Sequence, residues 1–142
     1  KVVSLGKMKY KFLEHSADAK FRAYGKSMNE CFKNAALAMF SIMIDPKKVN
    51  SKITKKIKIE GEDLKSLLYK FLDNLIYLLD VDKFILKKIT MLKITENTLE
   101  ATLLGEKISK KHEFGCEVKA ATYNQMIIKS NKPYMVQAVV DL

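Results

Sequence analysis

Apolar residues recur along this chain with two different periods, and the points where the period changes mark its elements. Tyr10-Lys11-Phe12-Leu13 and Ala19-Lys20-Phe21-Arg22-Ala23-Tyr24-Gly25 predict two short strands flanking a polar loop, Glu14-His15-Ser16-Ala17-Asp18. Ser27-Met28-Asn29-Glu30 predicts a capping box, with the serine hydroxyl accepting from the Glu30 amide and the glutamate answering the serine amide. Met28, Cys31, Phe32, Ala35, Met39, Ile42 and Met43 then recur at three- and four-residue steps, which predicts a helix stopped by Asp45-Pro46. A second helix is predicted from Gly61-Glu62-Asp63, its acids near the positive end of the helix dipole. Its apolar stripe is Leu64, Leu67, Leu68, Phe71, Leu72, Leu75, Ile76 and Leu79.

Elsewhere the period is two. Ile53, Ile57 and Ile59 alternate with Thr54, Lys56 and Lys58, and Leu99, Ala101 and Leu103 with Thr98, Glu100 and Thr102, as half-buried antiparallel strands do. Further strands are predicted at residues 84–94, 118–129 and 134–141, the last after a turn at Ser130-Asn131-Lys132-Pro133. Strand, strand, helix, strand, helix and then a run of strands is an α+β order. It predicts a single domain in which a largely antiparallel, mixed sheet packs against two long helices. Residues 10–142 make up that domain, and residues 1–9 read as an N-terminal extension.

Composition narrows the class. At 142 residues with 48% hydrophobic residues, the chain can bury a core without disulfides or a structural metal. No apolar run approaches the roughly 18 residues of a membrane span, and no charged-then-apolar leader is visible, so a soluble, cytoplasmic protein is expected. Cys31 and Cys116 lie far apart outside any Cys-x-x-Cys pair and read as small buried thiols. A formal charge of +10, from 26 basic and 16 acidic residues, draws the protein to anions such as RNA. Yet Arg22 is the sole arginine, and the lysines fall in scattered pairs. A solvated lysine-rich surface is therefore favoured over a dedicated nucleic-acid patch.

Several chemistries are absent. The five glycines are dispersed, which excludes a phosphate-cradling loop, and neither a nucleophile elbow nor a metal-binding histidine spacing occurs. Three polar clusters remain. The first is Glu14 to Asp18, a loop mounted between strands, whose residues would also serve as ordinary turn formers. The second runs from His112-Glu113 through Gly115-Cys116-Glu117-Val118-Lys119 to Tyr123. In it Glu117, Lys119, Ala121 and Tyr123 would share a strand face, with an exposed ion pair as the plain explanation. The third is Asp141-Leu142, for which a frayed terminus is the default.

Taken in order, these segments resemble the archease family. The residues that carry the likeness are Tyr10-Lys11-Phe12-Leu13-Glu14-His15-Ser16-Ala17-Asp18, then Asn34-Ala35-Ala36-Leu37-Ala38-Met39-Phe40, then Gly61-Glu62-Asp63-Leu64 with Leu67-Leu68. Gly115 with Glu117-Val118-Lys119-Ala120 and Thr122-Tyr123 follows, and Val139-Val140-Asp141 completes it. The resemblance implies a non-enzymatic accessory protein that activates an RtcB-type RNA ligase of tRNA splicing and RNA repair. Such a protein promotes ligase guanylylation by GTP and multiple turnover. It also implies that Asp18, Lys119 and Asp141 are the activating residues. Asp18 and Asp141 would hold a divalent metal, calcium first and magnesium or manganese otherwise, with the Leu142 carboxylate as an extra ligand. Glu14, His15 and Glu117 would support them. Ser16, Cys116, Ala121 and Asn124 depart from the family's usual pattern, the second and last beside Lys119.

Independently of the likeness, two carboxylates meeting at one tip suit a hard, oxygen-seeking cation. Two other functions compete. One is an RNA-binding or chaperone-like module for a tRNA-modifying enzyme such as a tRNA cytosine methyltransferase. The other is a small hydrolase using His15 and Asp18. The expected partner is the ligase, with any tRNA contact indirect or weak, no membrane contact, and the oligomeric state open.

Overall fold

The computed structural model describes residues 9–13 and 18–142. The chain runs β1 (Tyr10–Leu13), β2 (Asp18–Gly25), α1 (Met28–Met43), a short 3-10 turn at Pro46–Lys48 and β3 (Ile53–Glu60). It continues through α2 (Leu64–Asp82), β4 (Phe84–Ile94), β5 (Thr98–Lys107) and β6 (Ala120–Lys129) to β7 (Tyr134–Asp141). Both helices begin where the sequence places their starts, with capping chemistry that differs from the expected box at α1 and is unexpected at α2. Ser27 Oγ accepts from the Glu30 amide at 3.1 Å, but Glu30 reaches one residue further back, to the Lys26 amide at 2.8 Å. At α2 the reciprocal box is made by Asp63 and Ser66: the carboxylate accepts from the Ser66 amide, and Ser66 Oγ accepts from the Asp63 amide.

The strands form an α+β domain, as expected, but they divide into two sheets, β1-β2-β7-β6 and β3-β5-β4, and every pairing is antiparallel. A period of two reports which face of a strand is buried. It does not report which distant strand will pair with it, so the division is invisible locally. Helix α1 packs on β2, β7 and β4, and α2 on β6, β3, β4 and β5, so the helical layer covers the inner faces of both sheets. The core between them includes Phe21, Phe32, Met39, Leu68, Phe71, Leu72, Ile85 and Leu99, with Phe32 and Phe71 stacked at 6.3 Å.

One backbone approach in the second sheet admits only glycine. A Cβ at Gly105 would run into the Ile85 carbonyl, where β4 departs from regular register between Leu86 and Lys88. Gly105→Ala is expected to cost about 1–3 kcal/mol, seen as a lower urea midpoint at unchanged m-value.

Candidate functional site

The outer face of the four-stranded sheet points away from the helices. Phe21, Ala23, Val136, Ala138 and Val140 turn inward, so alternation places Asp18, Lys20, Arg22, Gln137 and Asp141 on the outside. Strands β2 and β7 pair so that Asp18 stands directly opposite Asp141, which in turn stands opposite Ala120 of β6. The Lys119 amide donates to the Asp141 carbonyl at 2.8 Å. Residues separated by almost the whole chain thus form one row at the end of the sheet. Directly opposed residues on antiparallel strands lie about 5 Å apart at Cα with side chains on the same face.

The structure therefore brings together Asp18, Asp141 and the backbone of Lys119, whose side chain is exposed. Leu142 follows Asp141 and is 36% exposed. Glu14 and His15 lie outside the described residues. Glu117 is exposed and lines a groove with Met43, Leu79, Lys83 and Phe114. The expected shared face of Glu117, Lys119, Ala121 and Tyr123 is not formed. Strand β6 starts only at Ala120, so Glu117 and Lys119 belong to the preceding loop. Within the strand Ala121 is buried, while Tyr123 is half-exposed and stacked on Tyr69 at 4.3 Å.

The loop leading to Lys119 is anchored twice. Its far half is tied to the end of α1, where the Gly115 amide donates to the Met43 carbonyl at 2.8 Å and the Cys116 amide to that of Ile42 at 3.4 Å. These bonds satisfy two of the carbonyls that a helix end leaves open. Cys116 is accordingly exposed rather than buried, because it rides on this loop outside the core. Cys31 is buried, and burial, with Glu30 adjacent, pushes its thiol up to about 11.

The near half is held by Glu106, a residue that no sequence motif singles out. Its carboxylate accepts from the Asn50 amide at 2.7 Å and lies 3.1 Å from His112 Nε2 and 3.3 Å from Lys111 Nζ. The Ser109 amide donates to His112 Nδ1 at 2.9 Å, so Nδ1 is the acceptor and Nε2–H donates to Glu106. The only signal in the sequence is an acid followed by Lys107, Lys110 and Lys111.

The Asn50 amide, followed by His112 and Lys111, lowers the Glu106 carboxyl from 4.5 to about 2 against the opposing effect of burial. A carboxyl whose value falls on folding stabilises the folded state above its unfolded value and loses that contribution as pH drops through the folded one. Wild type is therefore expected to be more stable than Glu106→Gln at neutral pH. The difference should shrink as pH falls from 4.5 toward about 2, a window checked by thermal melts at stepped pH.

Can the row hold a metal? Among the described residues no group of three or more His, Cys, Asp or Glu side chains converges on one point. Two carboxylates fall short of the six to eight oxygens of an all-protein calcium cage. They do match the one or two carboxylates with which proteins hold magnesium or manganese beside phosphate oxygens. Two carboxylates are compatible with a hard divalent cation that takes its remaining ligands from outside this row.

Residues 10–142 match the model of the archease protein family (MTH1598/TM1083). The chain belongs to the archease family. It is 41% identical to the archease of Methanosarcina mazei over 140 residues, covering 94% of this chain and 96% of the relative. It is 40% identical to that of Sulfurisphaera tokodaii over 137 residues, covering 94% and 99%. Among solved structures, the solution structure of Methanobacterium thermoautotrophicum protein 1598 superposes with a TM-score of 0.79 at 35% identity. It covers 94% of this chain and 99% of its own. A Thermotoga maritima protein described as an archease, possible chaperone, superposes at 0.64 with 19% identity, over 93% and 96%, a likeness of fold. No helix among the described residues of this archease is long and apolar enough to cross a membrane.

Proposed function

We propose that the protein is an accessory activator of an RtcB-type RNA ligase, acting through the sheet end that carries Asp18, Asp141 and Lys119. The observation that supports this reading is the register of β2 with β7. It opposes the two acids that the family likeness implicates and hydrogen-bonds the third residue's backbone to one of them. In this reading Asp18 and Asp141 hold a divalent cation. When bound, the cation offsets the negative charge of nucleotide phosphates. Two carboxylates suit magnesium or manganese as they stand, while calcium, the ion the family likeness puts first, would need more oxygen ligands from water or the partner.

The protein's own residues supply positioning. The β2–β7 pairing sets the backbones of the two acids opposite each other, and the anchored loop fixes the start of β6, where Lys119 offers a point charge to a phosphate or a partner carboxylate. The ligase retains the chemistry, joining a 2′,3′-cyclic or 3′-phosphate end to a 5′-hydroxyl end through its own guanylylated histidine. The test is guanylylation and ligation by the cognate ligase, with this protein present and absent. Faster guanylylation and many turnovers are expected with it. Equal rates with and without it reject the reading.

A further inference from the structure

We propose that Arg22, flanked by Lys11 and Lys20 on the outer face of the four-stranded sheet, is a phosphate-binding site. Four features of the structure converge on it. Lys11 on β1 stands directly opposite Arg22 on β2, a like-charge pairing that costs stability when nothing neutralises it. Lys20 lies on the same face, two residues along β2. All three cations are half-buried, and none forms an ion pair with a described residue.

Second, the arginine is held. Its Nε donates to Gln137 Oε1 at 2.8 Å, and Gln137, only 2% exposed, donates from Nε2 to the Gln125 carbonyl at 2.7 Å. The η nitrogens make no hydrogen bond to a described residue, so the donors of the guanidinium fork remain available on a group whose orientation is already fixed. Third, Gln125 Oε1 accepts from Lys20 Nζ at 2.7 Å, so one residue braces both cations. Fourth, Gln125 is left-handed, at φ 54°, in an irregular stretch where β6 leaves register with β7 between Thr122 and Ile127. Such a conformation is costly for a non-glycine residue and persists where the surroundings impose it.

A clamp serving only to satisfy Gln137 would not require that its partner be the chain's sole arginine, nor that a lysine face it. A tetrahedral dianion makes use of both: a fork for two oxygens and point charges for the rest. Two sources of that chemistry are a nucleotide's phosphates and the phosphate of an RNA end. The anion site itself stands on the geometry above, and only the choice of these two sources rests on the ligase reading.

The test uses the sole arginine as its own reporter. In 15N-labelled protein, with EDTA present so that no metal at Asp18 and Asp141 contributes, the single Arg22 Nε–Hε resonance is followed through two titrations. One uses GTP, the other a short 3′-phosphorylated oligoribonucleotide with its 3′-hydroxyl counterpart as control. Saturable shifts are expected, and whichever ligand binds more tightly identifies the source. Backbone shifts at Lys11 and Lys20 report the same titrations in Arg22→Lys, which keeps the charge but loses the fork. That variant should weaken binding about tenfold, while Lys58→Gln on the other sheet leaves it unchanged. An Arg22 resonance unmoved at millimolar ligand, or Arg22→Lys binding as tightly as wild type, overturns the proposal. Because ligase stimulation is not measured, failure here leaves the activator reading standing, and failure of the activator reading leaves this site standing.

Discussion

Replacing Asp18 and Asp141 together by asparagine is expected to return the ligase to its unassisted rate while leaving a folded protein. Asparagine preserves the size of each side chain and removes only its charge, so the β2·β7 register of the row should survive. Relief of the like-charge pairing offsets the weaker hydrogen bonding of the neutral amides, and metal-free stability should change by less than about 1 kcal/mol. The response to divalent ions separates the variants. A ligand that binds only the folded state at a hundredfold excess over its Kd adds about 2.7 kcal/mol. Wild type should therefore melt higher on addition of manganese or calcium, and the double variant should not. Full stimulation by the double variant would remove the acid pair from the activating site. An equal melting shift in both proteins would place the metal elsewhere.

That pair is legible in the sequence only as an expectation, and the reason is physical. The elements follow from local rules: Pro46 stops α1, Asp63 begins α2, and the alternation of Ile53, Ile57 and Ile59 turns one face of β3 inward. The site depends on register between strands separated by nearly the full length of the chain, which no local window contains. Only the family likeness joins Asp18 and Asp141 ahead of the fold. The differences have the same origin. Simple alternation puts Glu117 and Lys119 on a strand face, but the hydrogen bonds from Gly115 and Cys116 to the end of α1 keep this stretch a loop until Ala120. Glu106 and Gln137 read as ordinary polar strand residues. Their partners, Asn50, His112, Arg22 and Gln125, come from other segments, and only the assembled fold converts them into buried, bonded groups.

Phe71→Ala is expected to be the most destabilising of these substitutions, at about 3–5 kcal/mol. Phe71 is fully buried on α2 and stacks against Phe32 of α1, so its ring joins the two helices that cover both sheets. Truncation removes its burial energy and leaves a cavity between two elements that cannot close without moving a sheet. For a chain of this length the loss corresponds to a melting temperature lower by roughly 10–15 °C. Phe71→Leu, which fills most of the space, should recover much of it. The functional consequence differs from that of the acid pair. The Asp18–Asp141 row is set by hydrogen bonds within the four-stranded sheet, not by the helix–helix contact. Below its lowered melting temperature, Phe71→Ala should therefore still bind the divalent ion and stimulate the ligase, with stability lost and activity kept. If ion binding disappeared in a variant still folded by circular dichroism, the sheet end would depend on the helical layer for its shape, and the strands would not suffice to build the site.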